Sequence, residues 1–437
     1  MSPMEIGFLA VGGLLVLIFI GMPIGISMLG VSFVGVALIR SDTVATRMIA
    51  AVANDALEEY LFAVVPLFVL MGLLVTVSNV GRDTFEVFER LLRRVTAGLG
   101  VATVFANAVF ASITGISIAS ATVFARVAVP EMTRHGYTTK FATGVVAGSS
   151  VLGMMIPPSL LMIVYAVLAE ESVGRMFLAG IGPGILLSVV FMITIFVLAK
   201  TRRDFVFTEI ADTAEYHDIT TGQMIRKAVP ILTLMALVLG GLYGGFFNPT
   251  EAGAAGAAGA LVIALLRKSL TGRTLWKLMV ETGQITVSVL FLIMAATFFS
   301  RMLALSGVPR TLAEFFLSGP VGPTGFLILF LALVILLGCL IDSISIMLIL
   351  LPIALPVAES AGFDLIWFGV LTVVAVEMGL LTPPFGLSVY TIRSAMTDPD
   401  LKVGDIFRGA FPFVLAMLAS LVILALFPPI ATWLARL

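Results

Sequence analysis

The stretch VLGMMIPPSLLMIVY, residues 151–165, is almost wholly apolar, yet two prolines, Pro157 and Pro158, stand at its centre. Proline has no N–H, so the carbonyls of Gly153 and Met154 lose the donors that a continuous helix would supply. In hydrocarbon each unsatisfied backbone group costs several kcal/mol, and irregular backbone is tolerated only where it meets protein, ions or a polar cavity. The stretch therefore predicts a broken membrane helix, which is either a site of function or a passive kink whose backbone a serine satisfies.

The composition places this stretch in a membrane. Of the 437 residues, 60% are hydrophobic and 12% are charged, whereas a soluble domain carries about 25% charged residues. We therefore expect an all-α polytopic membrane protein. The formal net charge of -1 argues against a nucleic-acid partner, and the only cysteine, Cys339, excludes an internal disulfide. Both histidines, His135 and His217, fall in polar stretches, which argues against an intramembrane haem or histidine-ligated metal.

The apolar stretches predict the membrane spans, since a transmembrane helix needs about 20 apolar residues. The predicted spans are 5–20, 22–39, 61–79, 141–168, 176–199, 228–246, 250–266, 279–300, 365–396 and 408–432. Two further stretches, 96–133 and 320–358, have polar centres and are predicted to form re-entrant hairpins. The charged, amphipathic segments 43–60 and 82–95 are predicted to lie at the interface, or to act as lateral arms between domains.

The distribution of basic residues tests this topology. If the hairpins do not cross, five segments share one side of the membrane and carry 18 of the 25 Lys and Arg residues. These segments are 82–95, 134–140, 200–227, 267–277 and 393–408. Because Lys and Arg are enriched in cytoplasmic loops, we expect this side to be the cytoplasm and the hairpins not to cross.

The double proline recurs, because TPPFG in the second half answers IPPS in the first. A shift of 226 residues aligns the two copies without a gap. It pairs Ser117 with Ser343, Pro130 with Pro356, Gly153 with Gly379, Pro157 with Pro383 and Pro158 with Pro384. The first half makes five predicted crossings, so the second half starts on the opposite side. Inverted repeats of this kind are typical of secondary transporters. The predicted domains are 1–200, a cytoplasmic linker 201–227, and 228–437.

The broken helices offer partial charges to a transported solute. Freed carbonyls, including those of Gly379 and Leu380 in the second copy, suit a small cation such as Na⁺, and half-helix N-termini suit an anion. The hairpin tips add polar side chains: Ser112, Thr114, Ser117 and Ser120 in the first, and Asp342, Ser343 and Ser345 in the second.

Four charged residues in apolar surroundings have two interpretations each. Intramembrane carboxylates such as Asp342 and Glu377 are functional by default, but either could instead pair with a backbone donor or with Arg301. Arg126 could bind a substrate carboxylate or extend towards the interface. The simplest role of Glu251, three residues after Asn248, is helix capping.

Several motifs together resemble a known family. They are GISIASAT, PEMTRHGY, LGMMIPPSLLMIVY and FLAGIGPG in the first half, and FNPTEAGA, IDSISI and EMGLLTPPFGLSVY in the second. The chain resembles the large membrane subunit of tripartite ATP-independent periplasmic (TRAP) transporters. The resemblance implies an elevator-type transporter of the bacterial inner membrane, driven by a sodium gradient, that takes up organic acids. It also implies two partners, a small four-helix membrane subunit and a periplasmic binding protein.

The resemblance implies particular site residues as well. Carried over by motif, sodium sites would involve Ser117, Gly153 and Pro157 in the first half, and Ser343, Gly379, Thr382 and Pro383 in the second. The substrate is expected between the tips, near Ser120, Asp342, Ser345 and Arg126. The first tip, ISIAS, is less rich in glycine and serine than that of many members, which leaves its ligand set open.

Three rival functions remain beside the family's function. A sodium-coupled carboxylate carrier could work without a binding protein. A proton-pumping respiratory subunit would need chains of buried Lys, Glu and His, whereas buried charges are few here. An intramembrane enzyme would need a serine–histidine or metal–histidine pair within the membrane, so we expect a transporter rather than an enzyme.

Overall fold

The computed structural model describes residues 1–58, 60–208, 220–319, 321–396 and 398–436. These residues form helices and no strand, as the composition predicts. His217 and the middle of the predicted linker 201–227 lie outside the described residues.

The described residues of the first half form eleven α-helices. They are α1 (Pro3–Phe19), α2 (Ile24–Ile39), α3 (Asp42–Glu58), α4 (Val64–Val77), α5 (Val80–Leu92), α6 (Gly98–Thr114), α7 (Ser117–Arg134), α8 (Thr139–Ser150), α9 (Leu152–Met155), α10 (Leu160–Leu168) and α11 (Val173–Thr201). The predicted hairpin 96–133 is the pair α6 and α7, and the predicted broken helix 141–168 is the run from α8 to α10. The predicted arms 43–60 and 82–95 are α3 and α5.

The second half follows a similar order after the short α12 (Arg203–Val206). Its helices are α13 (Thr221–Met235), α14 (Gly241–Tyr243), α15 (Pro249–Leu266), α16 (Gly272–Ser306), α17 (Val308–Ser318), α18 (Gly322–Gly338), α19 (Ser343–Ser360), α20 (Leu365–Gly379), α21 (Leu387–Ala395), α22 (Val403–Leu426) and α23 (Pro429–Thr432). A π-helical turn, Ala236–Gly240, joins α13 to α14. The predicted hairpin 320–358 is α18 and α19, and the predicted broken helix 365–396 is α20 and α21.

The helix bounds repeat at the shift of 226 residues that aligns the proline motifs. Ser117 and Arg134, the ends of α7, correspond to Ser343 and Ser360, the ends of α19. Likewise α8 begins at Thr139 and α20 at the matching Leu365. The pattern of secondary structure therefore supports the duplication, while the opposite orientation of the two halves stays a prediction.

The long apolar helices make the chain a multi-pass membrane protein. Among the described residues, six helices are long and apolar enough to cross a bilayer, or up to eight if two bent pairs each form one span. The bends are 63° between α4 and α5, and 42° where α10 follows α8 and α9. The predicted span 279–300 was too short, because α16 runs over 35 residues. Helix α17 was not predicted.

Asn248 and Glu251 cap the N-terminus of α15, as the sequence predicts. The side chain of Asn248 accepts a hydrogen bond from the backbone N–H of Glu251 at 2.9 Å, and the Glu251 carboxylate accepts one from the N–H of Asn248 at 2.9 Å. This reciprocal pair satisfies two backbone donors that the helix itself leaves unpaired. The predicted capping role of Glu251 is confirmed.

Ion pairs connect both amphipathic helices to helices of the second half. On α3, Asp55 accepts a hydrogen bond from Arg301 of α16 at 2.8 Å. On α5, Asp83 pairs with Arg267 and with Lys227 of α13. The alternative in which Arg301 pairs with Asp342 or Glu377 is therefore wrong, because the guanidinium lies against the outer helix α3.

The two halves meet backbone to backbone where α8 packs on α22. A Cβ atom added at Gly144 would lie 2.1 Å from the carbonyl oxygen of Gly409. One added at Gly409 would lie 1.9 Å from the carbonyl oxygen of Lys140. Small residues at such a crossing let membrane helices approach closely, so that dispersion contacts hold them together. Since main chain cannot retract as a side chain can, neither position has room for a side chain.

We expect Gly144→Ala to lower the thermal unfolding temperature of the detergent-purified protein by several degrees. The added methyl group would push against main chain, and overpacking of this kind costs about 1–3 kcal/mol. Gly12→Ala in α1 is the matched control, since a Cβ there meets nothing within 4 Å. Because alanine also favours a helix over glycine, the control should be as stable as wild type or more so. Equal stability of the two variants would contradict the close packing of α8 on α22.

Candidate functional site

Each hairpin tip lies against one of the breaks. The first tip is the turn between α6 and α7, where Gly115 has φ +63° and accepts a hydrogen bond from the N–H of Leu160 at 3.4 Å. A Cβ at Gly115 would lie 2.4 Å from the carbonyl oxygen of Pro158. Both the positive φ and the close approach require glycine here.

The second tip repeats this arrangement. It is the turn 339–342 between α18 and α19, and the N–H of Phe385 donates to the carbonyl of Cys339 at 3.3 Å. Gly338 and Gly379 touch through their backbones, because a Cβ on Gly379 would lie 2.5 Å from the Cα of Gly338. The structure thus brings the hairpins and the breaks together in both halves, as the sequence predicts.

At the first break a serine side chain hydrogen-bonds to the backbone. Residues 156–159 separate α9 from α10, and the peptide bond between Pro157 and Pro158 is cis. The hydroxyl of Ser159 donates to the carbonyl of Met154 at 2.5 Å, and its oxygen accepts from the N–H of Met162 at 3.3 Å. Ser159 therefore both caps α10 and pairs one of the two carbonyls that the prolines cannot reach.

At the second break backbone N–H groups of a tight turn donate to the freed carbonyls. The N–H of Thr382 donates to the carbonyl of Gly379 at 2.9 Å, and the N–H of Ser388 donates to that of Leu380 at 3.3 Å. The carbonyls of Gly379, Leu380 and Met154, which lose their helix donors at the prolines, therefore accept hydrogen bonds from other groups of the protein. Each carbonyl keeps a second lone pair, so the breaks can still present oxygen to an ion.

A single buried carboxylate joins the two tips. Glu377 lies in α20, one turn before the second break, and is 1% exposed. Its Oε2 accepts a hydrogen bond from the hydroxyl of Ser117 at 2.6 Å, and its Oε1 accepts one from Ser343 at 3.3 Å. These two serines are the first residues of α7 and α19 and are paired by the repeat. The shift of 226 residues aligns Glu377 with Val151, so only the second half supplies a carboxylate at this position.

A chain of polar side chains lies behind the first tip. Ser120 donates to the Oδ1 atom of Asn107, and the Asn107 amide donates to Ser149 at 2.5 Å. All three are fully buried. Asn107 was not a predicted site residue, although an asparagine in the apolar run VFANAVF was a visible signal. Ser120, which was predicted to bind substrate, therefore already donates a hydrogen bond to Asn107.

The other residues predicted to bind substrate lie apart from these hydrogen-bonded side chains. Asp342 is exposed and caps α19, accepting from the backbone N–H and, at 2.5 Å, from the hydroxyl of Ser345. Arg126 is exposed on α7, nine residues past Ser117 and so roughly 13 Å further along the helix axis. The structure brings Asp342 and Ser345 together at the second tip and places Arg126 outside the site.

The site as a whole is a cluster of oxygen atoms, of the kind that coordinate hard cations, at the centre of an apolar helical protein. It contains two hydroxyls, a carboxylate and the carbonyls of two irregular segments, contributed by both halves of the chain. Discontinuous helices facing one another inside a multi-pass protein are the architecture of a secondary transporter.

The comparisons with known proteins agree with this class. A profile of the family described as "Tripartite ATP-independent periplasmic transporter, DctM component" matches residues 11–430. The chain belongs to this family, and the predicted resemblance is confirmed.

Relatives of this chain are similar along almost its whole length. The C4-dicarboxylate TRAP transporter large permease protein DctM of Pseudomonas aeruginosa is 32% identical over 91% of this chain and 90% of its own length. The sialic acid TRAP transporter permease protein SiaT of Haemophilus influenzae is 30% identical, covering 97% of this chain and 67% of its own. The ectoine/5-hydroxyectoine permease UehC of Ruegeria pomeroyi is 29% identical over 97% of both chains.

A solved structure shares the fold. The crystal structure of the Alcanivorax borkumensis YdaH transporter matches this chain with a TM-score of 0.56. The match covers 83% of this chain and 85% of that one at 15% sequence identity, so the likeness concerns the fold alone.

We expect Ser117→Ala and Ser343→Ala each to lower the free energy of unfolding by about 1–3 kcal/mol, because each removes a donor from a buried carboxylate. The Ser117 variant should lose more, since its hydrogen bond to Glu377 is the shorter. Thermal unfolding in detergent measures this. Ser360→Ala is the matched control, because this exposed serine donates only to the carbonyl of Pro356 in its own helix. Variants as stable as this control would show that Glu377 does not hold the tips together.

Proposed function

We propose that this chain is the large permease subunit of a TRAP transporter that uses a sodium gradient to take up an organic acid. A periplasmic binding protein would deliver the solute, and a small four-helix membrane subunit would accompany the chain in the bacterial inner membrane. The observation that carries the proposal is the convergence of Ser117 and Ser343, one from each hairpin, on the buried carboxylate of Glu377.

Sodium would bind where each tip meets its break. In the first half the oxygen donors are Ser117 and the carbonyl of Gly153, which Pro157 cannot pair. A Cβ on Gly153 would lie 3.1 Å from the backbone N of Ser117, so tip and break are already in contact. In the second half the donors are Ser343, the carbonyl of Gly379 and Thr382, beside Pro383. Two similar sites, one per repeat, would order both tips.

The organic acid would bind between the tips. The helices α7 and α19 both start at the site, and helix N-termini favour anionic groups. Asp342 is exposed at the second tip, where a solute would first arrive, and Ser345 is buried beside it. Ser120 acts from behind the first tip through Asn107. An organic acid is the class proposed, because the relatives are named for C4-dicarboxylates, sialic acid and ectoine.

The transport step would be an elevator movement of one unit against another. The moving unit would contain both hairpins and both broken helices. The Glu377 contacts join the two hairpins to the second broken helix, and Gly115 of the first hairpin packs against Pro158 of the first broken helix. The static unit would contain the outer helices, with α3 and α5 as arms. Two inverted repeats would give the unit equivalent resting positions on either side of the membrane.

We expect uptake to require an inward sodium gradient. The chain and its small subunit would be placed in proteoliposomes with the cognate binding protein, and the labelled solute would be one that stabilises that binding protein against heat. Replacing external sodium by potassium or choline should abolish accumulation, and dissipating the sodium gradient with an ionophore should release it. Accumulation that persists without sodium, or that follows a proton gradient alone, would refute the coupling ion.

We expect Pro157→Ala combined with Pro158→Ala to abolish sodium-stimulated uptake. Two alanines restore the missing backbone donors and favour a continuous helix, which would remove the break from the first tip. Insertion and folding, measured by expression and unfolding temperature, should be preserved. Pro230→Ala in α13 is the matched control, since it removes a helix-interior proline that belongs to neither hairpin and neither broken helix. Full transport by the double variant would make the first break a passive kink.

A further inference from the structure

Two Arg–Lys pairs in the sequence flank neighbouring membrane helices. Arg226 and Lys227 lie in the first two turns of α13, and Arg267 and Lys268 directly follow α15. The structure brings both pairs to one cavity of about 730 Å³, which Asp83 of α5 also lines. Sites that bind small molecules usually have volumes of about 300–1,000 Å³. The described residues that line this cavity include none from the hairpin tips or the breaks.

The acids at this cavity are shared between two of its four cations. Asp83 pairs with Arg267, and one of its carboxylate oxygens lies 3.7 Å from the Nζ atom of Lys227. Lys227 also pairs with Glu86, one turn further along α5. These contacts join the arm α5 to α13 and to the end of α15.

The other two cations are unpaired. Arg226 and Lys268 are exposed, and in the part of the chain that the structure describes neither side chain has an ion pair or a hydrogen bond. Four cations therefore meet two acids, which leaves an excess of two positive charges around the cavity. Because like charges at short range repel one another, this arrangement favours an anionic ligand.

The cavity lies where two membrane spans end. Both α13 and α15 belong to helices that are long and apolar enough to cross a bilayer. The cavity is at the N-terminal end of α13 and the C-terminal end of α15. Its residues come from three of the five basic segments that are predicted to be cytoplasmic, 82–95, 200–227 and 267–277. A charged cavity at the end of a span is level with the lipid headgroups.

Apolar side chains continue from the cations along both spans. On α13, Ile225 and Val229 lie beside Arg226 in the helix and are 55% and 51% exposed. At the end of α15, Leu266 lines the cavity itself and is 78% exposed. A ligand that fits this surface has an anionic end for the cations and a hydrocarbon part for the two helix faces.

We propose that the cavity binds the phosphate headgroup of an anionic phospholipid, whose acyl chains lie along α13 and α15. Arginine and lysine bind phosphate through charge-assisted hydrogen bonds. Basic pockets between membrane helices on the cytoplasmic side are typical sites for anionic headgroups. Helix α5 begins at the same cavity with Asn79, whose side chain makes no capping hydrogen bond, and the first turn of a helix favours an anion.

The lipid would strengthen the link between the arm α5 and the second half. Asp83 connects α5 to Lys227 and Arg267 but leaves the charges of Arg226 and Lys268 without a partner. A phosphate supplies the missing negative charge, so its binding should stabilise the packing of α5 against α13 and α15. The cavity is separate from the oxygen atoms of the tips, and this role does not depend on the coupling ion.

Thermal unfolding of the full chain, delipidated in a neutral detergent, tests the proposal. Dioctanoyl phosphatidylglycerol should raise the unfolding temperature by a few degrees, whereas dioctanoyl phosphatidylcholine, inorganic phosphate and glycerol 3-phosphate at the same concentrations should not. Added salt should weaken the effect, because the charges are exposed. Arg226→Gln combined with Lys268→Gln should need at least about tenfold more phosphatidylglycerol, since each Lys or Arg near an anionic lipid contributes to binding.

Lys200→Gln combined with Arg203→Gln is the matched control. It removes one lysine and one arginine that are exposed, lie in a segment predicted to be on the same side and do not line the cavity. This control should respond to phosphatidylglycerol as the wild type does. Because the charges removed in both double variants have no partner in the described residues, both proteins should fold normally.

Native mass spectrometry gives a second readout that does not depend on the stability of the variants. Phosphatidylglycerol should remain bound to the wild type and to the control, and should be lost from the Arg226 and Lys268 double variant. A wild type that is stabilised equally by both lipids or by neither, or a double variant that binds phosphatidylglycerol as the wild type does, would overturn the proposal. Equal stabilisation by glycerol 3-phosphate would also overturn it, because the ligand would then be a soluble anion.

Discussion

The carboxyl group of Glu377 is buried in the middle of an apolar protein, where a polar group is stable only if it has hydrogen-bond partners. Its two oxygens are met by the hydroxyls of Ser117 and Ser343, each the first residue of the second helix of a hairpin. The position of α20 therefore sets the position of both tips. If either hairpin moved alone, a buried carboxylate oxygen would lose its donor. This constraint makes the two hairpins and the second broken helix one cooperative unit.

The two breaks satisfy the same backbone requirement with different residues. The first uses the hydroxyl of Ser159, which bridges the end of α9 and the start of α10. The second uses a tight turn at Thr382, followed by Gly386 in the left-handed region. The two breaks therefore share the prolines and the preceding glycine, and in each half different groups donate to the freed carbonyls.

Local patterns predicted much of the fold, and long-range contacts account for what they missed. Two prolines in an apolar run predict a break at 156–159, and Asn248 followed by Glu251 predicts a cap, because both depend on neighbours in the sequence. Glu377 was noticed as an intramembrane acid, but its pairing with Ser117 joins residues far apart in the chain, and no spacing reveals it. The alternative that paired Arg301 with Asp342 or Glu377 was wrong for the same reason.

The contact between Gly144 and Gly409 has a consequence for biosynthesis. The surface of α8 that carries Gly144 is synthesised long before the helix that covers it, because α22 follows much later in the chain. Until α22 is made, the face of α8 that carries Gly144 lies against lipid or another segment. The first half therefore cannot reach its final packing alone. Insertion of this protein must therefore hold an unfinished half in the bilayer, and a truncation before α22 would leave that half open to degradation.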